Sequence, residues 1–558
     1  MNKKNLYLSE VPDNFDRQND LVIHFGWFSG REEQFPTFLD FAHPEPTKNQ
    51  LIQADCEINL TAKYFCGVFG HQLESKWGLT PRSQKFWIIV LYPYISHVLQ
   101  TLWGSEKIVD QFIEKYKQDD LRVHLVQDNL KLDLKDTQAY VFEIRKIAFN
   151  AWLFSRILEK KAPKNWAFSY SNPPHPTWVD TLHIKQRPRV RFENFCYGLL
   201  ESFGRYQPVY GLSPIESVLA SFLLWGKPAQ AGSRRADETV ENLFCSCLDV
   251  KLLLERWLPE SLNQKNKYTL KQGKVGKLNL GSRDLINNDD YKIKIALALE
   301  QGERLAGVQH GGHNYGSSVL SKFLGEVEYS HDVFLTWGYQ HQQNAKGNLK
   351  PLPSPLLCKM ANAHREENRD MILVGTNLLF FSYLFLDFKD ARAYRLNKEK
   401  FFSTFSMKLR QNLIYRPYFN DDDSLSDKKH YAQAFPWLKF HEGHFHKDLL
   451  KCRLLILDHL GTTLNLAMAA NTPTICFWSD NMVHLTDEAA NIFDHLKRVG
   501  ILFHNAEAAV AKISEIFQDV QGWWAKNEVQ EARRVWCDTY ARTSPSWRKE
   551  WIKTLWEI

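Results

Sequence analysis

The sequence predicts an α/β protein with parallel sheets, and two strand–loop–helix units are the main evidence. In the first, apolar side chains stand at helical spacing from Tyr291 to Leu305, and Leu305 to Val308 form a short buried strand that ends at a Gly-rich, His-bearing loop. In the second, residues 453–478 predict a strand, a polar turn, an apolar helix and, after Pro473, another strand. Alternating strands and helices are typical of a doubly wound parallel sheet, whose ligands bind outside the carboxyl ends of the strands. We therefore expect the two loops to face one cleft.

The length and composition indicate a large, well-packed protein. With 558 residues, of which 44% are hydrophobic and 13% aromatic, the chain is expected to fold into two or more domains. Its net charge of +6 is small and spread along the chain, which argues against a nucleic-acid partner and permits an anionic small substrate. The nine cysteines are scattered, as expected of reduced thiols, and the N-terminus lacks an apolar segment of signal-peptide length. We expect a cytoplasmic location.

The N-terminal half predicts the start of a Rossmann-type domain with additional helices. Asn5 to Leu8 and Leu21 to Phe25 are strand-like, and residues 26–30 form a Gly-rich turn. Helical periodicity then prevails from 83 to 160. Within it, Phe86 to Leu102 is the strongest apolar run and predicts a buried helix, with docking at a membrane surface as the alternative.

The C-terminal half repeats the alternation of strands and helices after a predicted linker. Residues 346–355 concentrate Pro, Gly and Lys, which is typical of a linker. Beyond them, Met371 to Val374 predicts a strand, Phe401 to Asn412 a helix, and Leu413 to Tyr415 another strand. The Trp-rich end of the chain, 506–556, is predicted to be helical.

Three motifs resemble those of transferases encoded in bacterial surface-carbohydrate loci. They are QHGG at residues 309–312, DVFLTWGY at 332–339 and LDHLGTTLNLAMAANTPTICFW at 457–478, and the tail from Trp523 to Trp547 resembles the same group. The chain is more distantly similar to the capsule keto-deoxy-octulosonate transferases and to the CDP-glycerol transferases of teichoic acid synthesis. The resemblance implies a GT-B-like fold of two Rossmann-type domains, with the acceptor on the first and the nucleotide-sugar donor held mainly by the second.

This resemblance and the linker together divide the chain into four parts. We expect an N-terminal acceptor-side Rossmann-like domain with a helical insertion over residues 1–345, and the linker over 346–355. A nucleotide-sugar-binding Rossmann-like domain is expected over 356–520. Helices over 521–558 are expected to pack back across the domain junction.

His310 is the main catalytic candidate. It stands at the end of a predicted strand beside Gly311 and Gly312, whose lack of a Cβ lets the backbone adopt conformations closed to other residues and approach an anion. The resemblance implies a functional His here, either as general base for the acceptor hydroxyl or as hydrogen-bond donor to the phosphate. The alternative is a structural His. Glu32 and Glu33, which follow the first Gly-rich turn, are the other candidate bases.

The turn before the apolar helix of the second unit is the candidate phosphate site. Without a metal, the departing phosphate must be stabilised by helix N-termini, hydroxyls and cations, and Gly461, Thr462 and Thr463 fit that demand. The alternative is that one threonine is an ordinary helix N-cap. Asn465 is placed to reach a ribose or a phosphate. Arg416, at a predicted strand end, is placed to pair with phosphate, to stack near the base, or to form a surface salt bridge.

The sequence predicts neither a metal site nor a cofactor. The histidines of HEGHFH, residues 441–446, lack the HExxH spacing, and no Asp-x-Asp motif stands at a plausible strand end. The sequence also lacks a GxSxG elbow and a P-loop. We therefore expect a metal-independent enzyme for which a nucleotide sugar is a substrate rather than a cofactor.

These features predict a glycosyltransferase that moves a sugar from a nucleotide donor to a bacterial surface glycan or glycosylated acceptor, with peripheral association at the inner face of the membrane. The resemblance suggests a CMP-linked ulosonic acid as the donor. A CDP-polyol phosphotransferase of teichoic-acid type is one alternative. A non-catalytic glycan- or nucleotide-binding subunit is another, because Leu466 stands where related enzymes often carry an acid.

Overall fold

Strands and helices alternate along the chain, and the predicted α/β class with parallel sheets is confirmed. The computed structural model of the protein describes residues 4–8, 15–16, 19–24, 45–173, 211–213, 215–217, 219, 241–269, 278–281, 284–312, 315–320, 326–329, 331–342, 348–364, 370–376, 391–418, 427–441 and 443–558.

Fourteen strands form three sheets in the described part of the chain. The strands are β1 Lys4–Tyr7, β2 Asp20–Val22, β3 Leu121–Val126, β4 Ala167–Ser171, β5 Leu278–Gly281, β6 Arg304–Val308, β7 Val333–Thr336, β8 Leu349–Pro351, β9 Met371–Val374, β10 Leu413–Arg416, β11 Lys439–Phe440, β12 Leu454–Leu457, β13 Thr474–Phe477 and β14 Leu502–Phe503. The sheet orders are β2-β1-β3-β4, β5-β6-β7-β8 and β11-β10-β9-β12-β13-β14. All of these strand pairs are parallel.

Helices connect the strands and cover the sheets. They are α1 Lys48–Trp77, α2 Gln84–Tyr116, α3 Thr137–Glu143, α4 Ile147–Lys161, α5 Val250–Arg256, α6 Lys265–Tyr268, α7 Asp284–Asn287, α8 Asp289–Glu300, α9 Pro355–Ala361, α10 Ala391–Thr404, α11 Asp427–Ala434, α12 Phe445–Lys451, α13 Thr462–Ala469, α14 Asp487–Arg498, α15 Ala506–Ile516, α16 Val520–Trp524, α17 Asn527–Tyr540 and α18 Trp547–Glu557. Short 3-10 helices occupy Glu260–Asn263, Arg410–Asn412, Asp480–Met482 and Phe517–Asp519.

The six-stranded sheet has its topological switch point between β9 and β12. The chain runs from β9 outward to β10 and β11, and then returns to the other side of β9 with β12. β9 and β12 are apolar runs, MILV and LLIL, that are buried along their whole length, as expected of central strands covered on both faces. The loops after β9 and β12 therefore flank the crevice in which an open parallel sheet binds its ligands.

The helix pair α1 and α2 carries much of the N-terminal core. α1 starts at a capping box formed by Thr47 and Gln50, and it ends at Gly78, whose φ of 61° is the left-handed conformation that favours glycine. α2, Gln84–Tyr116, is the only described helix long and apolar enough to cross a membrane, and 94% of its most apolar window is buried inside the protein. The prediction of a buried helix at Phe86 to Leu102 is confirmed.

Two predictions about local structure need correction. The expected linker, 346–355, is structured where it is described, because β8 pairs with β7 and Ser354 caps α9 through its side chain. Leu352, which follows β8, lies in the core, where it is 3% exposed. The helix expected over Phe401 to Asn412 instead begins at Ala391 and ends at Thr404, and Arg410–Asn412 form a separate 3-10 turn.

The C-terminal helices contact both the four-stranded β5–β8 sheet and the six-stranded sheet. On α17, Trp536 donates to Asn465 Oδ1 of α13 at 3.0 Å. Just beyond α17, the N–H of Arg542 donates to the carbonyl of Trp337 after β7 at 2.7 Å. α18 lies on the β5–β8 sheet, in an apolar cluster formed by Leu212, Leu280, Ala306, Val308, Val333, Leu335, Leu352, Cys358, Trp547, Trp551 and Leu555.

Candidate functional site

The QHGG loop leaves the carboxyl end of β6 and is held rigidly by Gln309. The side chain of Gln309 is buried, and its Nε2 donates to the carbonyl of Gly311 at 2.6 Å. Its Oε1 accepts from the N–H of Trp337, which follows β7, at 2.6 Å. A single amide thus ties the loop to the end of the adjacent strand, and the position of His310 is fixed by the sheet.

His310 is paired with a buried carboxylate. Its Nε2 lies 2.8 Å from Oε1 of Glu328, and the hydroxyl of Tyr315 lies 2.7 Å from the same nitrogen while donating to Glu328 Oε2 at 2.7 Å. The His310 side chain is 20% exposed and that of Glu328 only 2%. Since Nε2 faces the carboxylate, it carries the proton, and Nδ1 is left as the acceptor. No described residue bonds to Nδ1. A carboxylate that orients an imidazole in this way is the arrangement of a general base.

The QHGG loop and the Gly461–Thr463 turn meet, as the sequence predicts. The N–H of Gly312 donates to Thr462 Oγ1 at 3.0 Å. The N-cap of α13 is Gly461, which has extended backbone and no side-chain cap bond, so the alternative that a threonine caps this helix is wrong. The first N–H groups of the helix, on Thr462 and Thr463, have no partner among the described residues, as is usual for the first turn of a helix.

Glycine is required at position 312 by close approach rather than by backbone conformation. The described glycines with positive φ do not include Gly311 or Gly312, so the expectation that this loop needs conformations closed to other residues is wrong. A Cβ added to Gly312 would instead clash with Asn465 Nδ2 and lie 3.1 Å from Thr462 Cα. A Cβ on Gly311 would meet only Thr462 Oγ1, at 3.5 Å, an ordinary contact.

Asn465 lies beneath this contact between the loops. The residue is 1% exposed, and its Oδ1 accepts from Trp536 Nε1 at 3.0 Å. Its Nδ2 is buried without a hydrogen-bond partner in the described part of the chain. The orientation set by Trp536 therefore turns an unused donor toward Gly312. A role for Asn465 toward ribose or phosphate stays a prediction.

Arg416 ends β10 and is engaged with an acid. Its Nη1 lies 3.3 Å from Asp448 Oδ2, and the two side chains are 11% and 17% exposed. Asp448 also lies 3.1 Å from Nε2 of His441, which belongs to the HEGHFH segment. Any phosphate at Arg416 must therefore compete with Asp448.

Among the residues that the structure describes, no group of three His, Cys, Asp or Glu side chains is arranged to hold a metal. Glu32 and Glu33 lie outside the described residues.

A buried ion network stands at the switch point of the six-stranded sheet. Asp458 directly follows β12, and its Oδ2 accepts from Lys398 Nζ at 2.9 Å and from the Tyr394 hydroxyl at 2.7 Å. Its Oδ1 lies 2.9 Å from Nδ1 of His459. Burial raises the pKa of Asp458, but Lys398, His459 and Tyr394 outweigh burial and hold that pKa below its usual value. The carboxylate is therefore ionised at neutral pH.

The sequence did not indicate Glu328 as the partner of His310, nor Asp458 and Lys398 as an ion pair at the switch point. Glu328 is 18 residues from His310, and Lys398 lies on α10, far from Asp458 in the sequence. The one local signal is Gly375 after β9, where a Cβ would clash with the Tyr415 hydroxyl and lie 3.0 Å from Lys398 Nζ. The glycine after β9 thus indicated that other groups approach the backbone closely at this point, but it did not indicate that they are Tyr415 and Lys398.

The fold and the site define an α/β protein with parallel sheets, in which a loop that carries a carboxylate-held histidine contacts a turn at the carboxyl end of a second sheet. The chain belongs to the LIC12162 family transferase group, whose family model matches residues 4–555. The resemblance to transferases is thereby confirmed, whereas the resemblance to octulosonate and CDP-glycerol transferases stays a prediction.

Two further comparisons carry less information. No curated protein matches the chain. Among solved structures, the chain is similar to WaaG, described as a glycosyltransferase involved in lipopolysaccharide biosynthesis, with 11% identity and a TM-score of 0.24 over 83% of this chain and 95% of that chain. A likeness at that score supports no argument about the fold or the activity of this protein.

Proposed function

We propose that the protein is a GT-B-like glycosyltransferase that moves a sugar from a nucleotide donor to a surface glycan or a glycosylated acceptor. The observation that carries this proposal is the contact of Gly312 with Thr462, which brings His310 and the N-terminus of α13 to one place. A transfer reaction needs a base for the incoming hydroxyl and stabilisation of the departing phosphate, and this junction offers a group suited to each task.

In the proposed reaction, His310 Nδ1 accepts the proton of the acceptor hydroxyl. Glu328 and Tyr315 hold the opposite edge of the ring, so the imidazole needs no reorientation when it takes the proton, and the carboxylate stabilises the imidazolium that forms. The hydroxyl oxygen bonds to the sugar carbon as the bond from that carbon to the phosphate oxygen breaks. The unpartnered N–H groups of Thr462 and Thr463 then stabilise the phosphate that leaves.

The proposal includes the partners and the location. The donor would be a nucleotide sugar, of which a CMP-linked ulosonic acid is the first to try, and the acceptor would be a glycan at the inner face of the membrane. Binding of the donor by the C-terminal half is supported by the six-stranded sheet, since the loops after β9 and β12 flank its switch point.

The test combines a binding screen with a turnover assay. We expect one of CMP, CDP, UDP, GDP and dTDP to raise the melting temperature, since a ligand that binds only the folded state stabilises it by mass action. A sugar linked to the nucleotide that binds should then be transferred when the acceptor is supplied. This reaction releases the free nucleotide and leaves no phosphate on the acceptor. Phosphate retained on the acceptor would identify a CDP-polyol phosphotransferase instead. Nucleotide binding without turnover on any donor and acceptor would identify a binding subunit.

A further inference from the structure

A second imidazole is held by a buried carboxylate, at the switch point of the six-stranded sheet. Asp458 is 2% exposed, and its Oδ1 lies 2.9 Å from Nδ1 of His459. Lys398 is fully buried and contacts the other carboxylate oxygen at 2.9 Å, and its ammonium lies 2.9 Å from the Tyr415 hydroxyl as well. Asp458 is thus held in place from both sides, and it holds the His459 ring in turn.

The free edge of the His459 ring faces the start of α13. Because Nδ1 is hydrogen-bonded to Asp458, Nε2 is the nitrogen available to a ligand. A Cβ added to Gly461, the N-cap of α13, would lie 3.4 Å from Cδ2 and 3.6 Å from Nε2 of His459. No described residue forms a hydrogen bond to Nε2, and the side chain is 13% exposed. Nε2 therefore lies beside the helix N-terminus and remains accessible.

Two further sets of unused donors lie at the same helix end. The N–H groups of Thr462 and Thr463 have no partner among the described residues, and α13 has eight residues, enough for the partial positive charge of its N-terminus. Independently, Asn465 Nδ2 is an unpartnered donor on a side chain that is 1% exposed, and it lies where Gly312 meets Thr462. Unpaired buried donors are rare in folded proteins, and an anion is the ligand that would satisfy them.

We propose that His459 binds the leaving phosphate of the donor, with Asp458 as its positioning residue. The protonated ring donates from Nε2 to a non-bridging phosphate oxygen, beside the first N–H groups of α13. No covalent bond changes at His459, and its proton stays on the ring. The ligand class is a phosphate or diphosphate ester, so the proposal rests on the proposed function and adds to it the charged residue that recognises the leaving group.

The test replaces His459 with asparagine and titrates nucleotides by calorimetry. In His459→Asn, the short amide can still donate to Asp458, but the distal nitrogen is gone. The matched control is His504→Asn, because His504 also uses Nδ1 toward an acid, Asp480, at 2.8 Å, after the edge strand β14 of the same sheet. We expect His459→Asn to weaken binding of the nucleotide found in the screen by about tenfold to a hundredfold, the effect of losing a hydrogen bond to a charged group. His504→Asn should bind as the unmodified protein does.

The outcomes separate this inference from the proposed function. Unchanged nucleotide affinity in a folded His459→Asn would overturn the role of His459, while turnover by the unmodified protein would still support a glycosyltransferase. If the unmodified protein binds no nucleotide, the proposed function fails. In that case, inorganic pyrophosphate is titrated by calorimetry to test His459. Binding to the unmodified protein that is lost in His459→Asn supports the phosphate site, and absence of binding to the unmodified protein overturns it.

A second readout covers the case in which His459→Asn does not fold. Saturating the unmodified, histidine-labelled protein with pyrophosphate should shift the ¹⁵N resonance of His459 Nε2, because this nitrogen gains a hydrogen bond to a phosphate oxygen, and an unshifted resonance would overturn the proposal.

Discussion

Replacing Gly312 with alanine should separate the two loops that form the candidate site, whereas replacing its neighbour Gly311 should not. Neither residue has positive φ, so alanine is compatible with the backbone at both positions. The difference lies in the space around them. At 312 the new methyl group clashes with Asn465 Nδ2 and comes within 3.1 Å of Thr462 Cα, but at 311 it meets only Thr462 Oγ1 at 3.5 Å.

The size of the effect follows from what must move. Asn465 is buried and anchored by Trp536, so it cannot swing away freely. Overpacking at such a site costs about 1–3 kcal/mol, and loss of the bond from Gly312 to Thr462 adds about 0.5–1.5 kcal/mol, so Gly312→Ala should lower stability by roughly 2–4 kcal/mol. Gly311→Ala should stay within about 0.5 kcal/mol of the unmodified protein, as is usual where no contact is lost.

Urea unfolding followed by tryptophan fluorescence measures this difference between the two variants. The chain has 18 tryptophans, and one of them, Trp536, touches Asn465. Since a protein of this size need not unfold in two states, the comparison is between the midpoints of the same transition in Gly311→Ala and Gly312→Ala. Equal midpoints, together with equal turnover, would refute the conclusion that close approach is what requires glycine at 312.

Three other predictions concern catalysis, metal dependence and pH. His310→Ala should lower kcat by about 100-fold to 10,000-fold with little change in nucleotide affinity, as steady-state kinetics and calorimetry on the folded variant would establish; a variant that keeps most of its kcat would make His310 structural. Turnover should survive exhaustive EDTA treatment, and activity that is lost on chelation and restored by a divalent ion would contradict this. Burial lowers the pKa of His331 to about 3 from an ordinary value of 6.5. Between those two pH values, His331 binds a proton in the unfolded chain but not in the folded one. Stability should therefore fall as pH falls below about 6.5, by about 2 kcal/mol between pH 7 and pH 5 from this residue, and urea midpoints for His331→Leu should lack that part of the decline.

The elements that the sequence predicted well are those that local patterns specify. Met371–Val374 has the expected bounds because four buried apolar residues in a row, set between polar segments, form a central parallel strand. The contact between the QHGG loop and the Gly461–Thr463 turn was predicted from the rule that ligand loops follow the carboxyl ends of strands.

What could not be predicted depends on tertiary contacts. Glu328 stands two residues after another acid, Glu326, and nothing in this segment indicates that Glu328 is buried against His310. Lys398 lies on a helix whose sequence, ARAYRLNKEKFFST, is typical of an exposed surface, yet its side chain is fully buried. The same polar sequence explains why the start of α10 was missed, because the pattern of apolar residues becomes clear only near Phe401.

The packing of α18 on the β5–β8 sheet links the assembly of the site to the order of protein synthesis. Trp547, Trp551 and Leu555 belong to the same buried apolar cluster as Val308, the last residue of β6, and Leu335 of β7. Val308 directly precedes the QHGG loop. Roughly 200 residues separate β8 from α18, so a ribosome adding about 5–20 residues per second leaves this apolar face uncovered for about 10–40 s. The apolar face of the sheet that carries His310 is thus open to aggregation or chaperone binding for the whole time that the six-stranded sheet is being made. The yield of active protein therefore depends on whether this apolar face is protected from aggregation until α18 is made, as well as on the stability of the folded protein.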